Sequence, residues 1–461
     1  MLTNTPMPPS PDPRLVQGMI LRGYTHPCSC HMLFTLQAGP GAAGFIRALM
    51  PYVQSAEDWG DTKPDRMLNI GLTYNGILTF DPSLKGQFPN EFETGPWSSG
   101  SQQSLMDTGA SSPALWWNGY DSQAIHCIVH SYGMTADALS GLVAIVEQAA
   151  QASGAKEILP LKSGNGRLEE YAPLHDYVHF GYHDGIDNPA LRWPDDPAKT
   201  DPADANNFLI GYDGSQFHPG PRSGTAGEFA KDGCYNAFRV LYQDVEAFDK
   251  FLADKAPLVV KAIGGSLDDA REWLAAKLVG RWRNGSPLVL SPDAPSPATS
   301  DATDFGYSDD PAALRCPFSA HTRVSNPRDE MTFPGTDTPV PRLLRRGMPY
   351  GAPAVPPDYQ GERGLIGLFL CGSLAGQFEQ LYSWINVNNF SDVFPNLDTQ
   401  DALLANRVSP SNGDPSFTIP LPTGSSPIPI PSLPQFVVTR GTAYCLLPSI
   451  PTLRRIAGMA E

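Results

Sequence analysis

Apolar runs rich in β-branched residues alternate along the chain with Gly, Pro and Asn turns and with segments of helical periodicity. In the first third, the helical period is strongest over Ala136–Ala152, and Thr135 precedes it as an N-cap. Strands are predicted in the same third at Val16–Leu21, His31–Leu36, Leu68–Phe80 and Ala124–Ser131. This third therefore reads as one unit of strands covered by a helix.

The rest of the chain repeats that pattern. Its predicted strands are Asn207–Gly211, Ala237–Tyr242, Gly364–Cys371 and Phe436–Leu447. Its predicted helices are Val245–Lys255, Asp268–Arg281 and Leu374–Ile385. Strands mixed with helices, twice over, predict an α+β chain of two related halves, with domains at 1–155 and 156–461.

Two long stretches, Ser286–Asp304 and Thr418–Gln435, show neither period. The second contains Pro-Ile-Pro-Ile-Pro and is expected to be polyproline-like. Loops of this length are often functional, and plain surface packing is the alternative for each.

Composition narrows the class of protein. The 461 residues are 41% hydrophobic, with 43 Gly and 47 Pro, which indicates a globular protein with long ordered loops. The net charge of −16 repels phosphate backbones and anionic lipid, so neither nucleic acid nor a membrane is an expected partner. Composition does not determine the oligomeric state.

The seven cysteines are mostly isolated in apolar runs and are odd in number, which favours buried free thiols over a disulfide framework. The first residues lack a basic segment followed by an apolar one, and no apolar run approaches the roughly 20 residues of a membrane span. A cytoplasmic protein is therefore expected, with export by another route left open.

His321 is the most informative single residue. It lies in Cys316–Arg323 (Cys-Pro-Phe-Ser-Ala-His-Thr-Arg), a segment that is expected to be rigid and non-helical. A neutral imidazole is a common protein ligand of haem iron, although a lone histidine more often packs or hydrogen-bonds. Arg323 follows two residues later and has the planar fork that binds carboxylates such as haem propionates.

Two further segments carry candidate chemistry. Asp184 lies in Gly181–Gly185 (Gly-Tyr-His-Asp-Gly), where glycines allow close approach of the backbone to a flat cofactor. A turn aspartate that bonds its own backbone is the alternative reading. Arg345 and Arg346 precede Gly-Met-Pro-Tyr-Gly, a small, apolar and turn-forming segment, so one guanidinium can point into the protein. The alternative is that both arginines are solvated at the surface.

Taken together, these segments resemble the dye-decolorising peroxidase family. The resemblance lies in the order and content of four stretches, which span nearly the whole chain: Val16–Leu21 with Leu68–Tyr74, Phe180–Pro189, Cys316–Arg328 and Leu344–Gly351. The family implies two ferredoxin-like domains with antiparallel sheets and peripheral helices. It also implies one haem b per chain, held by the second domain.

The resemblance also implies roles for individual residues. His321 is the proximal iron ligand, Asp184 the distal acid–base group and Arg345 the distal arginine that also contacts haem. Glu379 is a candidate acceptor for the second nitrogen of the proximal imidazole. The other implied contacts to haem are Arg323, Ile186, Leu368 and Leu370.

The implied reaction is the reduction of hydrogen peroxide and the one-electron oxidation of dyes, phenols or other small aromatic reductants. Asp184 would move a proton between the peroxide oxygens, and Arg345 would stabilise charge as the O–O bond breaks. Tyr350 and Trp384 are candidate relays for bulky dyes. The alternative is a haem-handling protein on the same scaffold with little turnover.

Overall fold

The computed structural model describes residues 11–120, 123–161, 166–171, 174, 176–192, 203–330, 340–387, 400–407, 417–422 and 425–460. The strands are β1 (Cys28–Thr35), β2 (Arg66–Leu72), β3 (Cys127–Gly133), β4 (Lys156–Ile158), β5 (Leu168–Tyr171), β6 (Leu191–Arg192), β7 (Ala203–Asp204), β8 (Cys234–Gln243), β9 (Leu344–Arg345), β10 (Met348–Tyr350), β11 (Gly364–Cys371), β12 (Phe417–Ile419), β13 (Ile428–Ile430) and β14 (Val437–Leu447).

The α-helices are α1 (Gly18–Leu21), α2 (Pro40–Leu49), α3 (Tyr74–Phe80), α4 (Asn90–Thr94), α5 (Ser99–Leu105), α6 (Ala136–Ser153), α7 (Gly224–Ala230), α8 (Val245–Ile263), α9 (Leu267–Val279), α10 (His321–Ser325), α11 (Gln380–Asn386) and α12 (Ile450–Ile456). Leu374–Glu379 forms a π-helix that leads into α11. Short 3₁₀ turns lie at Met50–Tyr52, Pro82–Leu84, Gly109–Ser111, Pro113–Leu115, Ala205–Asn207, Pro297–Thr299 and Arg328–Glu330.

Ten strands form one antiparallel sheet in the order β10-β11-β8-β14-β2-β3-β1-β4, with β5 also paired to β1 and β9 to β11. The two halves of the chain meet where β14 pairs with β2, at Leu446 and Leu72. Helices pack on this sheet, so the α+β prediction is confirmed. The domain boundary at 155/156 stays a prediction, and β4 and β5, which follow it in sequence, pair with β1.

Several predicted elements have the expected type. Thr135 caps α6 by accepting a hydrogen bond from the Ala138 backbone N–H at 3.1 Å. The strands predicted around β1, β3, β8, β11 and β14 are present, as are the helices predicted around α8, α9 and α11. All seven cysteines are buried and free, as their apolar surroundings predict.

Other predictions were wrong, each for a local reason. Gly18–Leu21 is one helical turn, and the strand predicted over Leu68–Phe80 ends at Leu72. Thr73 then caps α3 through its hydroxyl, which accepts from the Gly76 N–H at 3.1 Å. A capping hydroxyl inside an apolar run switches the backbone from strand to helix without changing hydrophobicity.

Two irregular regions also differ from expectation. Asn207–Gly211 is not a strand: Asn207 ends a 3₁₀ turn, and the residues after it form further turns. Within Thr418–Gln435, the described residues include β13, which pairs with β12 in a small antiparallel ribbon. The exposed Pro429 fits this ribbon because an edge strand does not need every backbone N–H.

Strand alternation divides the apolar residues between the two faces of the sheet. On β1, Met32 and Phe34 pack against the layer that contains α2 and α6, while Leu33 packs into the core between the two halves. A further core lies under α8 and α9. No helix in the described part of the chain is both long and apolar enough to cross a bilayer.

A histidine pair lies in the core between the halves. His31 and His130 face each other across β1 and β3, with 2.9 Å between their Nδ1 atoms. Burial lowers the pKa of His31 to about 3. Burial, and then the charge of His31, holds the pKa of His130 well below its usual value. Both imidazoles are therefore neutral in the folded protein at neutral pH.

We expect this pair to make the fold sensitive to acid. Below pH 6.5 the two histidines bind protons in the unfolded chain but stay neutral in the folded protein. The free energy of unfolding therefore falls as the pH falls toward 3. For His31, the loss is about 2 kcal/mol at pH 5. In His31→Gln, the drop in unfolding free energy between pH 7 and pH 5, measured by urea titration, should be smaller by about that amount. His218→Gln is the control, since His218 is 66% exposed; an unchanged drop in His31→Gln would contradict the prediction.

Candidate active site

His321 is the first residue of α10, directly after the N-cap Ala320. The Ser325 hydroxyl donates to the His321 carbonyl oxygen at 2.7 Å, and the Ala402 N–H donates to the Ser319 carbonyl oxygen at 2.8 Å. The second bond ties the turn before His321 to the chain around residue 402. The imidazole keeps 28% of its surface exposed, into a cavity that it lines.

Asp401 is the partner of His321. Its Oδ2 accepts a hydrogen bond from His321 Nδ1 at 2.6 Å, while its Oδ1 accepts from the Leu403 and Leu404 N–H groups at 2.8 and 2.7 Å. Burial by itself lowers the pKa of His321, but attraction to Asp401 and this hydrogen bond outweigh it, and the pKa is raised. Asp401 fixes the proton on Nδ1 and leaves Nε2 for the cavity.

Glu379, the predicted acceptor for that imidazole, lies elsewhere. Its Oε1 accepts a hydrogen bond from the Tyr444 hydroxyl at 2.8 Å, and burial raises its pKa. No pattern in the sequence pointed to Asp401, which follows His321 by 80 residues in an ordinary polar stretch.

Asp401→Asn is therefore expected to weaken haem binding by about 10–100-fold, because an amide can turn its N–H₂ toward Nδ1 and remove the orienting acceptor. Glu379→Gln is the matched control and should leave haem affinity within about twofold of the parent. Haem transfer to apomyoglobin, followed in the Soret region, measures both variants. Equal losses would mean that the hydrogen bond between Asp401 and His321 has no special part in haem binding.

Arg323 does not face the cavity, contrary to expectation. Its guanidinium is fully buried and donates to Glu330 Oε2 at 2.8 Å and Asp310 Oδ2 at 3.1 Å, with further bonds to the Asp310 and Cys316 carbonyl oxygens. The ring of Phe318 lies 4.6 Å from it. The carboxylates that Arg323 binds belong to the protein, and the residue braces the loop before α10.

Asp184 sits in a tight turn between two glycines. Gly181 and Gly185 have φ values of +82° and +79°, a left-handed conformation that favours glycine. The Asp184 N–H donates to the Asp176 carbonyl oxygen at 2.8 Å, and the His183 N–H donates to that of Arg283 at 2.9 Å. The backbone bonds hold the turn, so the Asp184 carboxylate is free to face the cavity.

Arg345 meets Asp184 across that cavity. Its Nη1 lies 3.3 Å from Asp184 Oδ1, and the two side chains are 37% and 38% exposed. Arg346 points the other way, toward the first half of the chain, where its Nε donates to the Met19 carbonyl oxygen at 2.9 Å. Of the two arginines, the first is the one that faces Asp184, as predicted.

Alternation along β11 decides which of its residues reach the cavities. Leu365 and Phe369 line both the cavity that holds His321 and a second, larger cavity beside it. Leu368 lies in the core on the opposite face of the sheet and touches only the larger cavity. Leu370 lines neither and is fully buried in that core. Of the predicted contacts, Ile186 therefore lines both cavities, Leu368 lines one of them and Leu370 lines neither.

Two neighbouring cavities with shared lining residues make up the site. One, of about 240 Å³, is lined by His321 together with Asp184 and Arg345, and by apolar residues. The other, of about 610 Å³, shares Asp184 and Arg345 but is completed by residues of the first half, among them Tyr24 and Tyr132. Asp184 and Arg345 thus lie between the two cavities.

Arg281 is a functional candidate that the sequence did not reveal. It lines the smaller cavity, and its Nη1 donates to the Gly285 and Ala302 carbonyl oxygens at 2.8 and 3.0 Å. Its Nη2 is buried and has no hydrogen-bond partner among the described residues. A buried guanidinium with an unused donor fits an anionic group in the cavity.

The proposed relay residues are not at the surface. Tyr350 is 2% exposed and Trp384 is 3% exposed. The ring of Tyr350 lies edge-on to that of Trp117, with 6.1 Å between centroids. Neither side chain is placed to meet a bulky dye directly.

Comparison with known proteins adds independent information. No protein-family model matches the chain. Peroxidase 2 of Mycetinis scorodonius is 26% identical to it over 95% of this chain and 86% of its own length. A dye-decolorizing peroxidase of Mycena epipterygia is 30% identical over 72% of this chain and 63% of its own. Multifunctional dye peroxidase DyP2 of an Amycolatopsis strain is 27% identical over 90% of this chain and 88% of its own length.

Solved structures agree with these relatives. The fungal DyP-type peroxidase of Auricularia auricula-judae superposes with a TM-score of 0.77 at 25% identity, covering 97% of this chain and all of that one. A dye-decolorizing peroxidase variant of Pleurotus ostreatus gives a TM-score of 0.80 at 22% identity, over 97% and 99% of the two chains. The shared architecture confirms the predicted fold.

Proposed function

Since the chain belongs to the dye-decolorizing peroxidase family and is a haem-dependent peroxidase that acts on dyes with hydrogen peroxide, we propose that His321, Asp184 and Arg345 carry its reaction. The observation that supports this most is their meeting in one cavity, with His321 oriented by Asp401 and Arg345 3.3 Å from Asp184. Three residues far apart in sequence supply an iron ligand, a proton acceptor and a fixed cation.

The residues of the smaller cavity fit one haem b. His321 Nε2 is the group that would bind the iron, since Asp401 holds the proton on Nδ1. Arg281, with its unused buried donor, would bind a propionate in place of the predicted Arg323. Ile186, Leu365 and Phe369 form apolar wall, which suits the porphyrin face.

Bound haem supplies the iron centre and the electrons that reduce hydrogen peroxide. Asp184 accepts the proton of one peroxide oxygen and returns it to the other oxygen, which then leaves as water. Arg345 donates hydrogen bonds to the negative charge that grows on the leaving oxygen. Because the Asp184 backbone is held by its turn, little reorganisation is needed when the proton moves.

The larger cavity would admit peroxide and small aromatic reductants. It borders Asp184 and Arg345 directly and has apolar and aromatic lining from Tyr177, Met348 and Phe369. A flat phenol can pack on such a wall, beside Asp184 and Arg345.

Stopped-flow absorbance of the haem-loaded protein tests this proposal. On mixing with one equivalent of hydrogen peroxide, we expect a rapid change in the Soret band, and recovery of the starting spectrum after a phenol is added. A Soret band that does not respond to peroxide would contradict the proposal and leave a haem-binding protein with little turnover.

A further inference from the structure

Arg345 occupies an edge of the sheet. In β9 it stands opposite Phe369 of β11, while the following N–H, that of Arg346, donates to the Leu368 carbonyl oxygen at 2.9 Å. Backbone groups alternate in direction along a strand, so the N–H and C=O of Arg345 itself point away from β11. An edge residue of this kind needs another partner for both groups.

Asn188 supplies that partner with its side chain. Its Oδ1 accepts from the Arg345 N–H at 2.8 Å, and its Nδ2 donates to the Arg345 carbonyl oxygen at 2.8 Å. One side-chain amide thus makes the two bonds that a neighbouring strand would make. The half-buried Asn188 lies four residues after Asp184 and lines the larger cavity.

We propose that Asn188 is a positioning residue that holds Arg345 in register with Asp184. The amide joins the turn that carries the carboxylate to the strand that carries the guanidinium, and the two charged side chains themselves are only 3.3 Å apart. Both are more than a third exposed, so their own ion pair holds them weakly. The inference rests on the proposed role of Arg345.

Substitutions of Asn188 differ in which of the two hydrogen bonds to Arg345 they keep. Asn188→Ala removes both bonds to Arg345. Asn188→Asp keeps the shape and an acceptor for the Arg345 N–H, but it cannot donate to the carbonyl oxygen when ionised. Asn75→Ala is the matched control, since the Asn75 amide bonds Gln123 at an exposed position of the first half.

Fluoride binding to the ferric, haem-loaded protein is the readout, because an arginine donor stabilises a bound fluoride without any turnover. We expect Asn188→Ala to raise the fluoride Kd about tenfold, Asn188→Asp to fall between it and the parent, and Asn75→Ala to match the parent. The rate of reaction with peroxide should follow the same order, with haem content unchanged.

Fluoride Kd values within twofold of the parent in both Asn188 variants would overturn the inference, whatever their thermal stability. The isosteric Asn188→Asp keeps the test decisive if the alanine variant folds poorly. A parent protein that binds fluoride but ignores peroxide would refute the proposed function alone, and a fluoride series in the expected order would still support the positioning role.

Discussion

Asp184→Asn is expected to slow the reaction with hydrogen peroxide by about 10²–10⁴-fold, the usual contribution of a positioned acid–base group. The amide keeps the size of the carboxylate and can still approach Arg345, but it does not take up the peroxide proton at neutral pH. The bimolecular rate constant, from stopped-flow traces at increasing peroxide concentration, measures the loss. Haem content, read from the Soret absorbance, should not change.

Asp176→Asn is the control for that substitution. Asp176 lines the larger cavity, and only its backbone carbonyl bonds Asp184. Its side-chain charge can therefore be removed without touching the turn. A rate constant within threefold of the parent for Asp184→Asn would remove the acid–base assignment, and equal losses in both variants would point to the overall charge of the cavity instead.

Arg345→Leu is expected to lower the same rate constant by about 10²–10³-fold, the range for loss of one donor to a developing negative charge. Arg345→Lys keeps the charge but loses the planar fork, so we expect an intermediate rate. Arg222→Gln controls for loss of a cation, because Arg222 is 42% exposed and pairs with Asp213 at the surface.

The double variant Asp184→Asn/Arg345→Leu adds a test of coupling. Two groups that act on one proton transfer and one leaving oxygen should not lose activity independently, so the double variant should be less impaired than the product of the single effects predicts. Strictly multiplicative losses would show that the two residues work separately, despite the 3.3 Å between them.

The sequence predicted the site residues with local signatures better than those that depend on tertiary contacts. Asp184 and Arg345 lie in segments whose glycines and basic pair mark them, and both reach the cavity. Asp401 and Arg281 have no such local pattern, because their positions are set by packing around His321 and by the loop after α9. The planar fork of Arg323 led us to expect a bond to a haem propionate, but the guanidinium binds the carboxylate of Glu330 instead.

The same contrast applies to the secondary structure. Long periodic elements such as α6 and β14 follow from their patterns, whereas the switch from β2 to α3 depends on one threonine hydroxyl. Leu368 and Leu370 differ from Phe369 only in parity, and an unbroken apolar run such as β11 carries no information about which parity faces a cavity.

The position of β14 has a consequence for biosynthesis. This strand follows the other described strands in sequence, yet it lies between β8 and β2, at the centre of the sheet. On the ribosome, the first half therefore emerges with the β2 edge still unpaired, and that edge stays so until β14 has been translated. At about 5–20 residues per second, this interval lasts tens of seconds, during which that apolar edge is open to pairing with another nascent chain.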